Sequence, residues 1–257
     1  MLFRSQDTLW AADFNKDHKL DLLVVTSTGF SVLLGNGDGT FQPPQAFSVP
    51  QRSYWISPAT VGDVNGDGAP DVLIVMPNFI YLCLGNGAGG FSAPSPINLP
   101  GGSKVTIGDV NGDGIPDLVN SAGYVALGKG NGAFGPPALY PVNTFTGTDN
   151  AVLADLRGTG RLDIVTQSAD SLVSVLLNTG KGKYEDGVWV PVSGGGGCGV
   201  VADYNLDGKP DLATNNTQGI AVLLGTGRTF VTDRLDAWPP KVAIKLLTKA
   251  SRSRGLT

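Results

Sequence analysis

Four short segments of this chain set oxygen-bearing side chains at the same alternating positions. They are Asp13, Asn15, Asp17 and Asp21; Asp63, Asn65, Asp67 and Asp71; Asp109, Asn111, Asp113 and Asp117; and Asp203, Asn205, Asp207 and Asp211. In each, the first, third, fifth and ninth residues offer a side-chain oxygen, and the seventh (Lys19, Ala69, Ile115 or Lys209) offers its backbone carbonyl. Three carboxylates, an amide oxygen, a carbonyl and a water supply the six to eight oxygen ligands, at about 2.3–2.6 Å, that Ca²⁺ takes. Magnesium demands a stricter octahedron, and zinc prefers nitrogen or sulfur. The carboxylates of one loop repel one another without a cation, so about four calcium ions are expected. Turn chemistry explains the pattern less well, because Asp and Asn make turns without needing acids at the first, fifth and ninth places.

A helix-flanked calcium loop of the EF-hand type is excluded. It needs a bidentate Glu at the twelfth position, which here holds Val24, Ile74, Asn120, Thr166 or Thr214, and the acid falls at the ninth. A fifth loop, 155–163, differs in kind: Arg157 replaces Asn and Thr159 replaces Asp. A guanidinium in the cation's place can bridge Asp155 and Asp163, so this loop is expected to hold no calcium. His18, the only histidine, stands where the other loops have Gly68, Gly114, Gly160 and Gly208. That place calls for a left-handed backbone, which His tolerates better than most residues. His18 therefore reads as a turn residue, not as a ligand or a general base.

These loops need a scaffold that repeats with them. Their first residues are Asp13, Asp63, Asp109, Asp155 and Asp203, a period of 46 to 50 residues. Each unit has an apolar run ending in Ala12, Gly62, Gly108, Ala154 or Ala202, then the loop, then two further apolar runs. A Gly-rich turn follows, then an aromatic (Phe41, Phe91, Phe134, Tyr184 or Phe230), then a weaker run. Runs of four to seven residues rich in Val, Leu and Ile between Gly, Asn and Pro are strands. Four strands in a repeat of this length is the size of one propeller blade. The expectation is an all-β chain, a β-propeller of about five four-stranded blades, over residues 1–236. The repeats lie near 8–52, 53–100, 101–147, 148–196 and 197–236, and a basic tail occupies 237–257.

The unit Ala/Gly-Asp-x-Asn-x-Asp-Gly-x-Pro-Asp-Leu, followed by turns such as Gly35-Asn36-Gly37, Gly85-Asn86-Gly87 and Gly225-Thr226-Gly227, resembles the FG-GAP/VCBS repeat of integrin α-subunit head propellers and bacterial secreted proteins. The resemblance covers about residues 8–232. It implies a calcium loop in the hairpin between a blade's first and second strands, with the family's metal positions carried onto the first, second, third and fifth loops. Family propellers usually close with seven blades. Five units leave two architectures, a closed five-bladed ring or an arc of a larger propeller, whose open edges would invite self-association.

All 22 acids lie at or before Asp236, whereas five of the 18 bases lie beyond it. An acidic body repels phosphate backbones, so nucleic acid is not an expected partner. No stretch of 18 apolar residues exists, so no membrane span is expected. Cys83 falls in an apolar slot with Leu33, Ala126, Leu176 and Leu223, and reads as structural; Cys198 falls at a polar position. Trp55 and Trp189 read as lying between blades, where they either pack or offer a platform to a sugar ring. Gly194–Gly197 either admits a ligand closely or spans a gap. Lys241, Lys245 and Lys249 either form a basic amphipathic helix or belong to a frayed tail. The one Glu, Glu185 beside Asp186, is a weak candidate for acid–base work, and no nucleophile with a paired base is evident, so no catalytic residues are assigned. The chain thus reads as a non-catalytic binding or adhesion module for a glycan or protein. The alternatives are part of a secreted polysaccharide-active enzyme or a structural segment of a surface protein. Calcium modules with affinities of about 10⁻⁴–10⁻³ M are extracellular, which points to the cell surface or the medium.

Overall fold

The computed structural model describes residues 9–26, 28–50, 59–76, 79–102, 104–142, 148–168, 172–185, 187–192, 199–216 and 219–232. Among these residues every regular element is a strand. The first repeat forms β1 (Leu9–Ala12), β2 (Asp21–Thr26), β3 (Gly29–Leu33) and β4 (Gln45–Ser48). The second forms β5 (Thr60–Gly62), β6 (Asp71–Val75), β7 (Ile80–Cys83) and β8 (Ser95–Ile97). The third forms β9 (Val105–Gly108), β10 (Asp117–Asn120), β11 (Tyr124–Ala126) and β12 (Ala138–Leu139). The fourth contributes β13 (Thr148–Ala154), β14 (Asp163–Ser168), β15 (Leu172–Leu176), a separate short hairpin of β16 (Asn178–Gly180) and β17 (Lys183–Tyr184), and β18 (Val188–Pro191). The fifth forms β19 (Gly199–Ala202), β20 (Asp211–Asn216), β21 (Gly219–Gly225) and β22 (Phe230–Thr232). Each repeat is one antiparallel four-stranded sheet with its strands in chain order. This is the blade of a β-propeller.

The register is the same in every blade. The small residue that ends the first strand pairs with the ninth Asp of the loop: Ala12 with Asp21, Gly62 with Asp71, Gly108 with Asp117, Ala154 with Asp163 and Ala202 with Asp211. The next residue pairs with the apolar slot of the third strand, so Val72 faces Cys83 as Leu22 faces Leu33. Strands β6 and β7 are buried along their whole length, as expected of strands covered on both faces. Cys83 is buried, and burial pushes its thiol up to about 11, which keeps it an inert filler of the core.

The chain divides into two compact units, Met1–Leu139 and Tyr140–Thr257. In the first, one core lies between the first two blades (Phe14, Leu23, Phe30, Val32, Ile74, Cys83) and another between the second and third (Val64, Leu73, Ile80, Leu118, Ala126). In the second unit the core joins the fourth and fifth blades (Leu156, Val165, Val173, Leu212, Leu223, Phe230). The aromatic after the Gly-rich turn packs backward in the second, third and fifth blades, as Phe91, Phe134 and Phe230. Phe91 meets Phe14, Phe30 and Phe47 of the preceding blade at ring distances of 5.8, 5.1 and 5.0 Å.

Trp189 differs from its expectation. It stands within the outer strand β18, opposite Ser174, and is 57% exposed, so it does not pack between blades. Trp55, Cys198, Gly194–Gly197 and the tail with Lys241, Lys245 and Lys249 lie outside the described residues. No helix among the described residues is long and apolar enough to cross a membrane.

In four of the five blades one glycine is fixed by close approach. A Cβ on Gly35, Gly85, Gly128 or Gly225 would stand 2.2, 2.3, 2.1 or 2.0 Å from the backbone carbonyl of Leu20, Pro70, Pro116 or Pro210. These contacts are to backbone, which cannot swing aside. Gly85→Ala is therefore expected to destabilise the chain by about 1–3 kcal/mol in urea unfolding; an unchanged midpoint contradicts the crowding.

Candidate metal centre

The loops close around their first carboxylate. Asp13 accepts the amides of Asp17 (3.1 Å) and His18 (2.8 Å). Asp63 accepts those of Gly66 and Gly68 (2.7 Å each), and Asp109 those of Gly112 (2.7 Å) and Gly114 (2.8 Å). Asp203 does the same with Asp207 (3.2 Å) and Gly208 (2.9 Å). The third-position Asn15, Asn65, Asn111 and Asn205 each accept the fifth residue's amide through Oδ1. The fifth carboxylates, Asp17, Asp67, Asp113 and Asp207, accept the amides of the seventh residues Lys19, Ala69, Ile115 and Lys209 at 2.7 to 2.9 Å. These bonds need left-handed backbone at the sixth place, where His18 has φ 65° as its alignment with glycines foretold. The fourth place is left-handed too. Lys16 (φ 59°) and Leu206 (φ 64°) hold it where the other loops have glycine.

The ninth aspartates face the other way. Asp21, Asp71, Asp117, Asp163 and Asp211 are 0% exposed. One oxygen of each accepts the amide of the loop's second residue: Phe14, Val64, Val110, Leu156 or Tyr204. The other accepts an amide from the end of the third strand: Gly35, Gly85, Gly128, Asn178 or Gly225. These bonds measure 2.7 to 3.1 Å. The ninth carboxylate is thus first a clamp inside the blade. Among the described residues no three His, Cys, Asp or Glu groups already converge as a metal cluster.

Two observations test whether these residues fit a hard divalent cation. The donors are oxygens only, and each carboxylate has about four lone-pair sites, so the loop amides leave acceptor capacity on the first, third and fifth side chains. In two loops the ninth aspartate is also disfavoured as an anion. Burial pushes the Asp71 carboxyl above the usual carboxylate range against the pull of its two amides, and Asp67 and Asp63 push it further. Asp117 is raised in the same way by burial, with Asp113 and Asp109 adding to it. The residues fit calcium, with the first, third and fifth side chains at the accessible end of each loop and the ninth beneath them.

In loop 155–163 a cationic side chain reaches the ninth carboxylate. The Arg157 guanidinium donates to Asp163 Oδ1 at 2.8 Å and to the Asn178 carbonyl at 2.5 Å. It does not join two carboxylates as expected. Asp155 is already engaged by the amides of Arg157, Thr159 and Gly160, so the guanidinium ties the buried Asp163 to the end of the third strand instead. Sequence reading missed Lys16, whose Nζ donates to the Asp67 carbonyl of the next blade's loop at 2.9 Å. Its only sign was a lysine at a position held by glycine in the second, third and fourth loops. Glu185 is exposed and lies 3.6 Å from Arg228; Asp186 lies outside the described residues.

A family profile described as FG-GAP-like repeat matches residues 13–74, 63–119 and 155–214. Several solved structures share the fold. An Agrocybe aegerita lectin, described by its specific recognition of non-reducing terminal N-acetylglucosamine, is 23% identical with a TM-score of 0.68, over 90% of this chain and 67% of the lectin. The V. cholerae biofilm matrix protein Bap1 is 19% identical with a TM-score of 0.53, over 88% of this chain and 39% of Bap1. BBS1N, solved in complex with ARL6DN, is 11% identical with a TM-score of 0.52, over 91% of this chain and 68% of BBS1N. At these identities the likeness speaks for the fold alone. No curated protein matches the sequence.

Two outcomes follow for the loops. Arg157→Ala leaves Asp163 buried without its counter-charge and is expected to cost about 3 kcal/mol in urea unfolding; a loss within error contradicts the pairing. In chelator-treated protein, the raised Asp71 and Asp117 make the folded state bind more protons than the unfolded chain. Stability then falls as pH rises from about 4 through their folded values. Asp71→Asn should shallow that fall in melts taken across the acid range, and an unchanged slope speaks against it.

Proposed function

Because the chain belongs to the FG-GAP-like repeat family, we propose that it is a non-catalytic, calcium-dependent β-propeller module that binds a glycan or protein ligand outside the cell. The observation that supports this reading is the crowding of oxygen donors in four loops, two of which hold a ninth aspartate, Asp71 or Asp117, that burial pushes up and the acids of its own hairpin push further. Bound calcium supplies the positive charge that neutralises those acids and fixes each hairpin. The chain's own residues set the rest: the first Asp curls the loop, the Asn and the fifth Asp hold its middle, and the ninth Asp anchors it to the blade. An ion that binds only the folded chain stabilises it by mass action, and extracellular calcium modules have affinities of about 10⁻⁴–10⁻³ M. That range favours a calcium-rich medium outside the cell.

The non-catalytic reading draws on how titratable groups among the described residues are engaged. His18 is spent in a left-handed turn, the loop acids accept backbone amides, and Glu185 faces Arg228. The glycan reading draws on Trp189, 57% exposed beside Val188 at 45% on an outer strand, since an aromatic face suits the C–H side of a sugar ring. The Agrocybe lectin of the same fold, which recognises terminal N-acetylglucosamine, supports the same arm.

A glycan array probed with the calcium-loaded chain, with the chelated chain and with Trp189→Ala tests this. The expected result is binding that chelation weakens and that Trp189→Ala reduces at least tenfold, about 1.4 kcal/mol, with an unchanged melting temperature for the variant. Binding indifferent to chelator contradicts the calcium dependence, and binding indifferent to Trp189→Ala removes the aromatic platform.

A further inference from the structure

The first loop touches the second blade through Lys16. This residue holds the fourth, left-handed place of its loop at φ 59°. Its stem lies along the Gly-rich turn of the second blade, where Cε and Cδ stand 3.0 and 3.2 Å from the point a Cβ on Gly87 would occupy. Its ammonium donates to the Asp67 carbonyl at 2.9 Å and stands 3.6 Å from the corresponding point on Gly68. Beside it, the Gly89 amide donates to the Phe14 carbonyl at 3.1 Å. A left-handed residue other than glycine persists only where its surroundings hold it. Here the stem, the ammonium and the neighbouring backbone bond do so.

The third loop supplies the comparison. Residues 63–71 and 109–117 differ only at the seventh place, Ala69 against Ile115. Their inner bonds match, since the first carboxylate of each accepts the amides of the fourth and sixth residues. Yet the second loop has Gly66 at the place of Lys16, and a glycine has no side chain to send to the third blade. Nothing lies within 4 Å of a Cβ at Gly112 or Gly114. Two loops with one donor set thus differ by a positive charge fixed over the fifth and sixth residues of one of them.

We infer that Lys16 of the first loop lowers the calcium affinity of the second, so that this loop fills at a higher calcium concentration than its own oxygens would set. The inference rests on the calcium reading of the loops. Asp67 gives the second loop its fifth carboxylate, and the carbonyl of the same residue carries the ammonium. A cation drawn to those carboxylates meets a like charge already held there, and like charges at short range repel. Lysine has three donors and no acceptor, so it cannot serve the ion as a ligand. Nor does it withdraw freely, because leaving breaks its bond to Asp67 and lifts its stem from Gly87. The first blade thereby sets the calcium response of the second.

Calcium titration of the chelated full chain, followed by NMR at the Gly68 and Gly114 amides, reads the second and third loops separately. Lys16→Met keeps the stem and removes the charge. It is expected to move the Gly68 midpoint to about threefold lower calcium, the size of one partly screened like charge, while the Gly114 midpoint stays. Lys16→Arg keeps the charge and should keep the wild-type midpoint. If Lys16→Met does not melt as a folded chain, Lys16→Gly, the residue of the matched loops, takes its place. A Gly68 midpoint unmoved by loss of the charge overturns the inference and leaves the calcium reading standing. So does an equal shift at Gly114, or a Lys16→Arg chain that behaves as Lys16→Met does. If neither amide of the wild type responds to calcium, the calcium reading fails and this inference fails with it.

Discussion

A carboxylate buried at the start of each second strand is the constraint from which the blade is built. It accepts one amide from the loop's second residue and one from the end of the third strand, in all five blades. A buried carboxylate is tolerable only when its oxygens are satisfied. The chain therefore has to return its third strand to the same point every time. That return brings a glycine against the carbonyl before the aspartate, with no room for a Cβ. In the fourth blade Asn178 stands in place of that glycine, and its pairing with Tyr184, a single bridge in the first three blades, extends into the short hairpin of β16 and β17.

The same carboxylate sets the electrostatics of the loop above it. Desolvation and neighbouring acids push Asp71 and Asp117 up, and two amides do not cancel this. A cation at the open end of the loop, or a guanidinium reaching in from the third position, are two chemical answers to one problem. Four loops have the donors for the first answer. Loop 155–163 shows the second, with Arg157 on Asp163 at 2.8 Å. The ninth aspartate persists in that loop although the Asn and the fifth Asp are gone, which separates its role as clamp from the role of the loop's outer oxygens.

Much of this was legible in the residues because both signals are periodic. The fixed order of small residue, loop, apolar runs, turn and aromatic specified four strands per repeat, and the observed pairings of Ala12 with Asp21 and Val72 with Cys83 follow it. His18 was readable because four other loops place glycine there. What was not legible depends on side-chain direction. The inward turn of the ninth aspartates cannot be read from spacing, since an acid at that place serves a metal or a backbone amide equally well. The second partner of Arg157, the Asn178 carbonyl, lies 21 residues away across a turn, and Trp189 falls in a fourth strand too weakly apolar for its end to be read from the residues. The left-handed backbone of Lys16 and Leu206 had a trace too, the glycines Gly66, Gly112 and Gly158 at the same place in the other loops, but two of five loops depart from it where only one departs at His18.

Counting the bound ions tests the account most directly. Calorimetric titration of the chelated chain with calcium is expected to saturate at about four ions per chain, with loop 155–163 silent behind its arginine. No binding heat, or a fifth equivalent site, would contradict the assignment of the outer oxygens to a cation and of Arg157 to the cation's role.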